Sequence, residues 1–128
     1  MLIFGHLWIE SPKFYKIETI NDINQTPPNS LLYIENLSKN IELIKFCQKN
    51  QLQFSIKIDT IKEAIFANIF DAKYIITTKK LAKELTPIAQ NYLFDTQVLA
   101  LISEDFEIEE MAKIGVDGVV FINNFNIL

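Results

Sequence analysis

The chain has no arginine. All twelve of its basic residues are lysine. Arginine carries the rigid fork that grips phosphates and carboxylates in pairs of hydrogen bonds. Its lack, together with a net charge of −4, speaks against a nucleic-acid partner, because an acidic surface repels a polyanion. A compositional bias toward Ile, Asn, Lys and Phe would produce the same lack. Histidine and cysteine are scarce too, one each, His6 and Cys47. Two such residues cannot assemble a histidine or thiolate zinc site, and a single thiol excludes an internal disulfide framework, consistent with a reducing compartment. With only three glycines, Gly5, Gly115 and Gly118, there is no GxGxxG and no P-loop. No apolar run reaches the ~18 residues of a membrane span. The start, MLIFGHLWIE, carries no basic flank and interrupts its apolar residues with Trp8 and Glu10, unlike a signal peptide. The expectation is a cytoplasmic protein with no cofactor, no metal and no membrane association.

What is present is an ordinary globular composition, 49% hydrophobic and 22% charged over 128 residues, which suits one domain with its own core. From residue 31 onward, apolar runs alternate with helical patterns. LLYIE (31–35), QFSIKI (53–58), AKYIITT (72–78), QVLALI (97–102) and GVVFI (118–122) read as strands. Between them 38–50, 60–70, 79–94 and 104–114 place apolar residues at helical spacing, as in Leu81, Leu85, Ile88 and Tyr92. Such alternation predicts βαβ units and a parallel sheet. Residues 31–128 thus form a βαβαβαβαβ core. Residues 1–30, with Ser11-Pro12 and the loop QTPPNS, read as an N-terminal β extension, a hairpin or two short extended pieces laid against an edge or end of the sheet. Pro87 either kinks its helix or restarts it behind Thr86 as N-cap.

The predicted fold class is therefore α/β, a three-layer, five-stranded, mostly parallel sheet in flavodoxin-like order, with a half (β/α) barrel of sequential order as the alternative. An open half-barrel would leave apolar strand faces bare, and faces of that kind are covered by a partner. This points to a homodimer.

Three phrases repeat: IFDAKYII (69–76), LFDTQVLA (93–100) and GVDGVVFI (115–122) each turn from a helix through an aspartate into a strand. Residues 60–122, with EAIFANIFDAKYIIT and MAKIGVDGVVF, resemble consecutive βα units of phosphate-binding (β/α) barrel enzymes of the aldolase and phosphate-synthase kind. The resemblance would imply a phosphate grip after a late strand, made of glycine and serine. Here Asn123, Asn124 and Phe125 follow the last strand, and none of the three glycines follows an expected strand. The motif is thus a strand entered through a turn, without its phosphate site.

In an open parallel sheet, ligands lie beyond the carboxyl ends of the strands, where Glu35, Asn36, Asp59, Thr60, Thr77, Thr78, Ser103 and Asn123 fall. Alternation puts Ser55, Lys57 and Asp59 on one face of their strand, which reads as a solvated edge strand. Lys57, with Asp59 and Glu35, is the catalytic candidate, a lysine for small-molecule binding or lyase chemistry of the aldolase type. Two neighbouring carboxylates favour an ion pair over a nucleophilic amine. Thr60 and Glu63 form a capping box, and Thr78, Ser103 and Ser38 suit N-caps. The acids of SEDFEIEE (103–110) suit a first helical turn. Phe4, His6 and Trp8, alternating along an extended segment, form a candidate subunit contact. Two functions are in view: association with a second copy through an α/β domain that does no catalysis, and, as the alternative, a site around Lys57.

Overall fold

The computed structural model describes residues 1–127. In chain order its elements are β1 (Leu2–Phe4), β2 (Phe14–Lys16), α1 (Ile20–Ile23), β3 (Leu31–Ile34), α2 (Ile41–Lys49), β4 (Phe54–Lys57) and α3 (Ile61–Ile69). There follow β5 (Tyr74–Thr77), α4 (Lys79–Asn91), β6 (Gln97–Ile102), α5 (Phe106–Ile114), β7 (Gly118–Phe121) and β8 (Phe125–Ile127). The five expected strands are β3 to β7. The sheet nevertheless has eight strands, because β1, β2 and β8, three residues each, join it.

The strand order is β1-β7-β6-β5-β4-β3-β2-β8, and every pairing is parallel. From β2 to β7 the order is sequential, so the flavodoxin-like order, which reverses at a switch point, is not the one adopted. Nor is the N-terminal extension a hairpin: β1 lies beside β7, while β2 lies between β3 and β8. A right-handed crossover that always steps the same way carries every helix to the same side of a twisted sheet, which therefore curls.

Two apolar clusters follow from this curl. Outside it, Ile34, Ile56, Ile75, Val98, Ala100 and Val119 meet helix residues such as Ile44, Cys47, Ala64, Leu85 and Met111. Inside it, Phe4, Phe14, Tyr33, Tyr74, Ile76, Leu99 and Val120 form a second cluster made of strand residues alone. The layers are thus a ring of helices, the sheet, and an interior packed with aromatics. Rings from both ends of the sheet touch there: Phe4 meets Phe14 at 5.3 Å and Tyr74 at 5.5 Å, and Phe14 stacks on Phe125 at 5.2 Å. The inner face is consequently filled by the chain itself, and the bare face from which a homodimer was expected does not arise.

Hydrogen bonds also tie the loop between β7 and β8 to the chain entering β2. Phe14 N–H donates to the Asn124 carbonyl at 3.0 Å, and the Asn124 side-chain amide donates to the Pro12 carbonyl at 3.1 Å. Gly5 does follow a strand, β1, but its role is steric: at φ +92° a Cβ would lie 2.9 Å from that of Asn124. The chain leaving β7 for β8 passes too close for a side chain.

Helix ends account for the sequence repeats. Gln51, Asp71, Leu93 and Gly115 each adopt positive φ just past α2, α3, α4 and α5. The next residue closes the motif in three cases, Leu52, Ala72 and Phe94 donating to the carbonyls of Cys47, Ala67 and Ala89. The repeated aspartates are not equivalent in this respect: Asp71 is itself the left-handed residue, whereas Asp95 and Asp117 lie two residues beyond theirs. Thr60 and Thr78 cap α3 and α4 as expected. Ser38 does not cap α2, since its hydroxyl donates to the Asn36 side chain, and α5 is capped by the Glu107 carboxylate rather than by Ser103. Helix α4 runs through Pro87, and the buried Thr86 hydroxyl bonds back to the Ala82 carbonyl instead of starting a new helix.

Candidate functional site

In a parallel sheet every strand points the same way, so all the carboxyl ends and the loops after them gather at one mouth. On β2, β3 and β4 the side chains alternate. Phe14 and Tyr33 enter the interior while Ile34, Phe54 and Ile56 face the helices. The same alternation turns Lys16 and Lys57, the last residues of β2 and β4, inward above the aromatic plug. Here they line a cleft of about 410 Å³ with Tyr33, Glu35, Leu101, Ile122, Phe125 and Asn126.

The charges in this cleft divide unequally. Lys16 Nζ lies 2.7 Å from Glu35 and 3.3 Å from Glu18. The Glu35 carboxylate, the first cause, and then Glu18 push the Lys16 ammonium up from its ordinary value. Lys57 belongs to none of the ion pairs among the described residues. Burial drives the Tyr33 phenol well above the ordinary range, and the charges of Glu35 and Asp59 reinforce this, so it stays a neutral hydroxyl. Tyr33, Leu101, Ile122 and Phe125 contribute apolar walls.

The catalytic candidates are therefore separated. Glu35 shares the cleft with Lys57 but is held by Lys16, while the exposed Asp59 lines a neighbouring cleft of about 290 Å³ with Thr77 and Thr78. The strand of Lys57 is not an edge strand either: β4 pairs with both β3 and β5, and the face expected to be solvated is the inner face of the curl. Lys16, Tyr33, Phe125 and Asn126 were not among the sequence candidates. The alternation of FYK would have revealed Lys16, had the segment been long enough to read as a strand.

The contact candidates are separated as well. Phe4 is buried in the interior and cannot face a partner. Strand β1 ends there, and after Gly5 the chain leaves alternation. His6 sits half-buried against the start of α5: its Nε2 lies 2.7 Å from Asp105 Oδ1, and its Nδ1 accepts the Trp8 N–H at 3.0 Å. One neutral tautomer, with the proton on Nε2, satisfies both bonds. The loop so held presents Leu7 and Trp8 to solvent, 98% and 86% exposed.

The opposite, amino end of the sheet also has clefts, of about 260 and 410 Å³. Two of their acids are engaged by the fold, Asp117 accepting Val98 N–H at 2.7 Å and Asp71 accepting from Gln48 at 2.8 Å, while Asp95 is exposed. Among the described residues no three histidine, cysteine or acidic side chains converge as a metal site, and no helix is long and apolar enough to cross a membrane. No known family model matches the chain, and no curated protein matches it either.

Proposed function

We propose that this protein binds a small molecule in the cleft at the mouth of its curled sheet. The observation that supports this is the convergence of Lys16, Glu35 and Lys57 over apolar walls at the carboxyl ends of β2, β3 and β4. Clefts that combine apolar walls with a few placed polar groups are where small ligands are held. Binding is the reading rather than catalysis, since Glu35 is held by Lys16 and Asp59 lines the neighbouring cleft. A thermal-shift screen of small acids, amines and neutral compounds tests this. A stabilising compound should lose its effect in Lys57→Met and keep it in Lys80→Met, which changes a lysine on α4. If every stabilising compound acts equally on both variants, the reading is wrong.

A second reading, association with another copy of this chain, is supported by Leu7 and Trp8, large apolar side chains fixed in an exposed loop. Light scattering over a wide concentration range checks it. A mass of twice 14.8 kDa that falls to the monomer in Leu7→Ser with Trp8→Ser supports it, and a monomer throughout removes it.

A further inference from the structure

Resting on the mouth cleft as the binding site, we infer that its ligand is a monoanionic organic acid, a carboxylate carried on an apolar body. The charge arrangement leads there. Glu18 and Glu35 both bond Lys16, so the ammonium of β2 is already matched by acids. Lys57 is the cleft-lining cation outside those ion pairs among the described residues. One ammonium balances one negative charge. A doubly charged phosphate would bring an excess charge toward Glu35 and Glu18, and would want arginine or a run of backbone N–H groups. The chain has no arginine, and β7 is followed by Ile122, Asn123 and Asn124 rather than by glycines.

The rest of the cleft suits the body of such an acid. Leu101 from β6, Ile122 after β7 and Phe125 from β8 line it with Tyr33, whose ring packs against that of Phe125 at 4.9 Å. Ile122 is exposed, and an apolar ligand would cover it. Asn126 and the Tyr33 hydroxyl add neutral hydrogen-bonding groups beside the lysine. A carboxylate oxygen near Lys57 with its chain against Ile122 and Phe125 uses every kind of surface the cleft offers.

The test is an amide-resolved NMR titration of the wild-type chain with three probes: 3-phenylpropionate, its neutral amide 3-phenylpropionamide, and inorganic phosphate. The expected result is saturable shifts at residues 16, 33, 35, 57, 101 and 122 with the acid. The amide should bind roughly tenfold or more weakly, as loss of a charge-assisted contact implies. Phosphate should produce no saturation. Lys57→Met should bring the acid down to the affinity of the amide, and Lys57→Gln serves if the first variant does not fold. Amide binding as tight as acid binding, or preference for phosphate, overturns the ligand class while leaving the cleft a binding site. Shifts confined to other surfaces, or none with any probe, overturn both.

Discussion

Phe4 and Phe14 meet edge to face at 5.3 Å, although β1 opens the strand order and β2 stands next to its far end. The contact is what makes a curled sheet a closed body. Phe14 is fully buried and also approaches Tyr33, Tyr74 and Phe125. Phe14→Ala should therefore cost about 3–5 kcal/mol, and Phe14→Leu roughly half that. Urea unfolding of the two variants measures it. A loss below about 1 kcal/mol for the alanine variant would mean that the interior is not packed around this ring.

Leu93 offers the opposite sign. It holds φ +53° at the end of α4 and is 83% exposed, so it bears left-handed strain with little packing in return. Leu93→Gly should stabilise by about 0.5–1 kcal/mol, the relieved strain exceeding the added freedom of the unfolded chain. A higher urea midpoint at unchanged slope is the expected outcome. A lower midpoint would show that the leucine packs in solution.

The third prediction concerns acid stability. The Glu107 carboxylate accepts from Lys79 Nζ at 2.5 Å and from the backbone N–H groups of Ser103 and Glu104. Lys79, above all, and those amides hold its pKa down at about 2, against 4.5 unfolded. A depressed acid stabilises the fold fully above its unfolded value, and that contribution fades as pH falls from 4.5 toward 2. Glu107→Gln should be less stable than wild type at neutral pH, with the gap narrowing across that window. A gap independent of pH would assign the loss to packing.

His6 gives a local prediction. Its ring ties Trp8 N–H to Asp105 and also meets the Trp8 and Phe121 rings. His6→Ala should raise hydrogen exchange at the Trp8 amide roughly tenfold while leaving the β6 amides protected. Unchanged exchange would mean that the loop is held by something else.

The sequence made some of this legible and not the rest, for physical reasons. Strands β3 to β7 announce themselves because each is an apolar run of four or more residues, and after β4 and β5 the caps Thr60 and Thr78 stand where their spacing requires. Strands β1, β2 and β8 escape because three residues hold too little alternation to distinguish them from loop. Their place depends on partners more than a hundred residues away, Leu2 beside Gly118 and Phe14 beside Phe125. The site was half visible for the same reason. Lys57 lies on a strand that pattern alone reveals, whereas Lys16 and Phe125 lie on two that only closure creates. Asp59 lies two residues past the end of β4 and lines the neighbouring cleft with Thr77 and Thr78.

The pairing of β1 with β7 also sets a timetable. In a nascent chain residues 2–4 emerge more than a hundred residues ahead of their strand partner, residues 118–120. Until then Leu2 and Phe4 have no ladder, and Phe14 lacks the Asn124 carbonyl and the Phe125 ring that cover it. Helices α2 to α5 can dock on β3 to β6 as each is made, but the aromatic interior stays open to water until the final strands arrive. Closing the interior thus requires residues 2–4 and 14–16 to meet residues 118–120 and 125–127, contacts of high sequence separation that are slow to form.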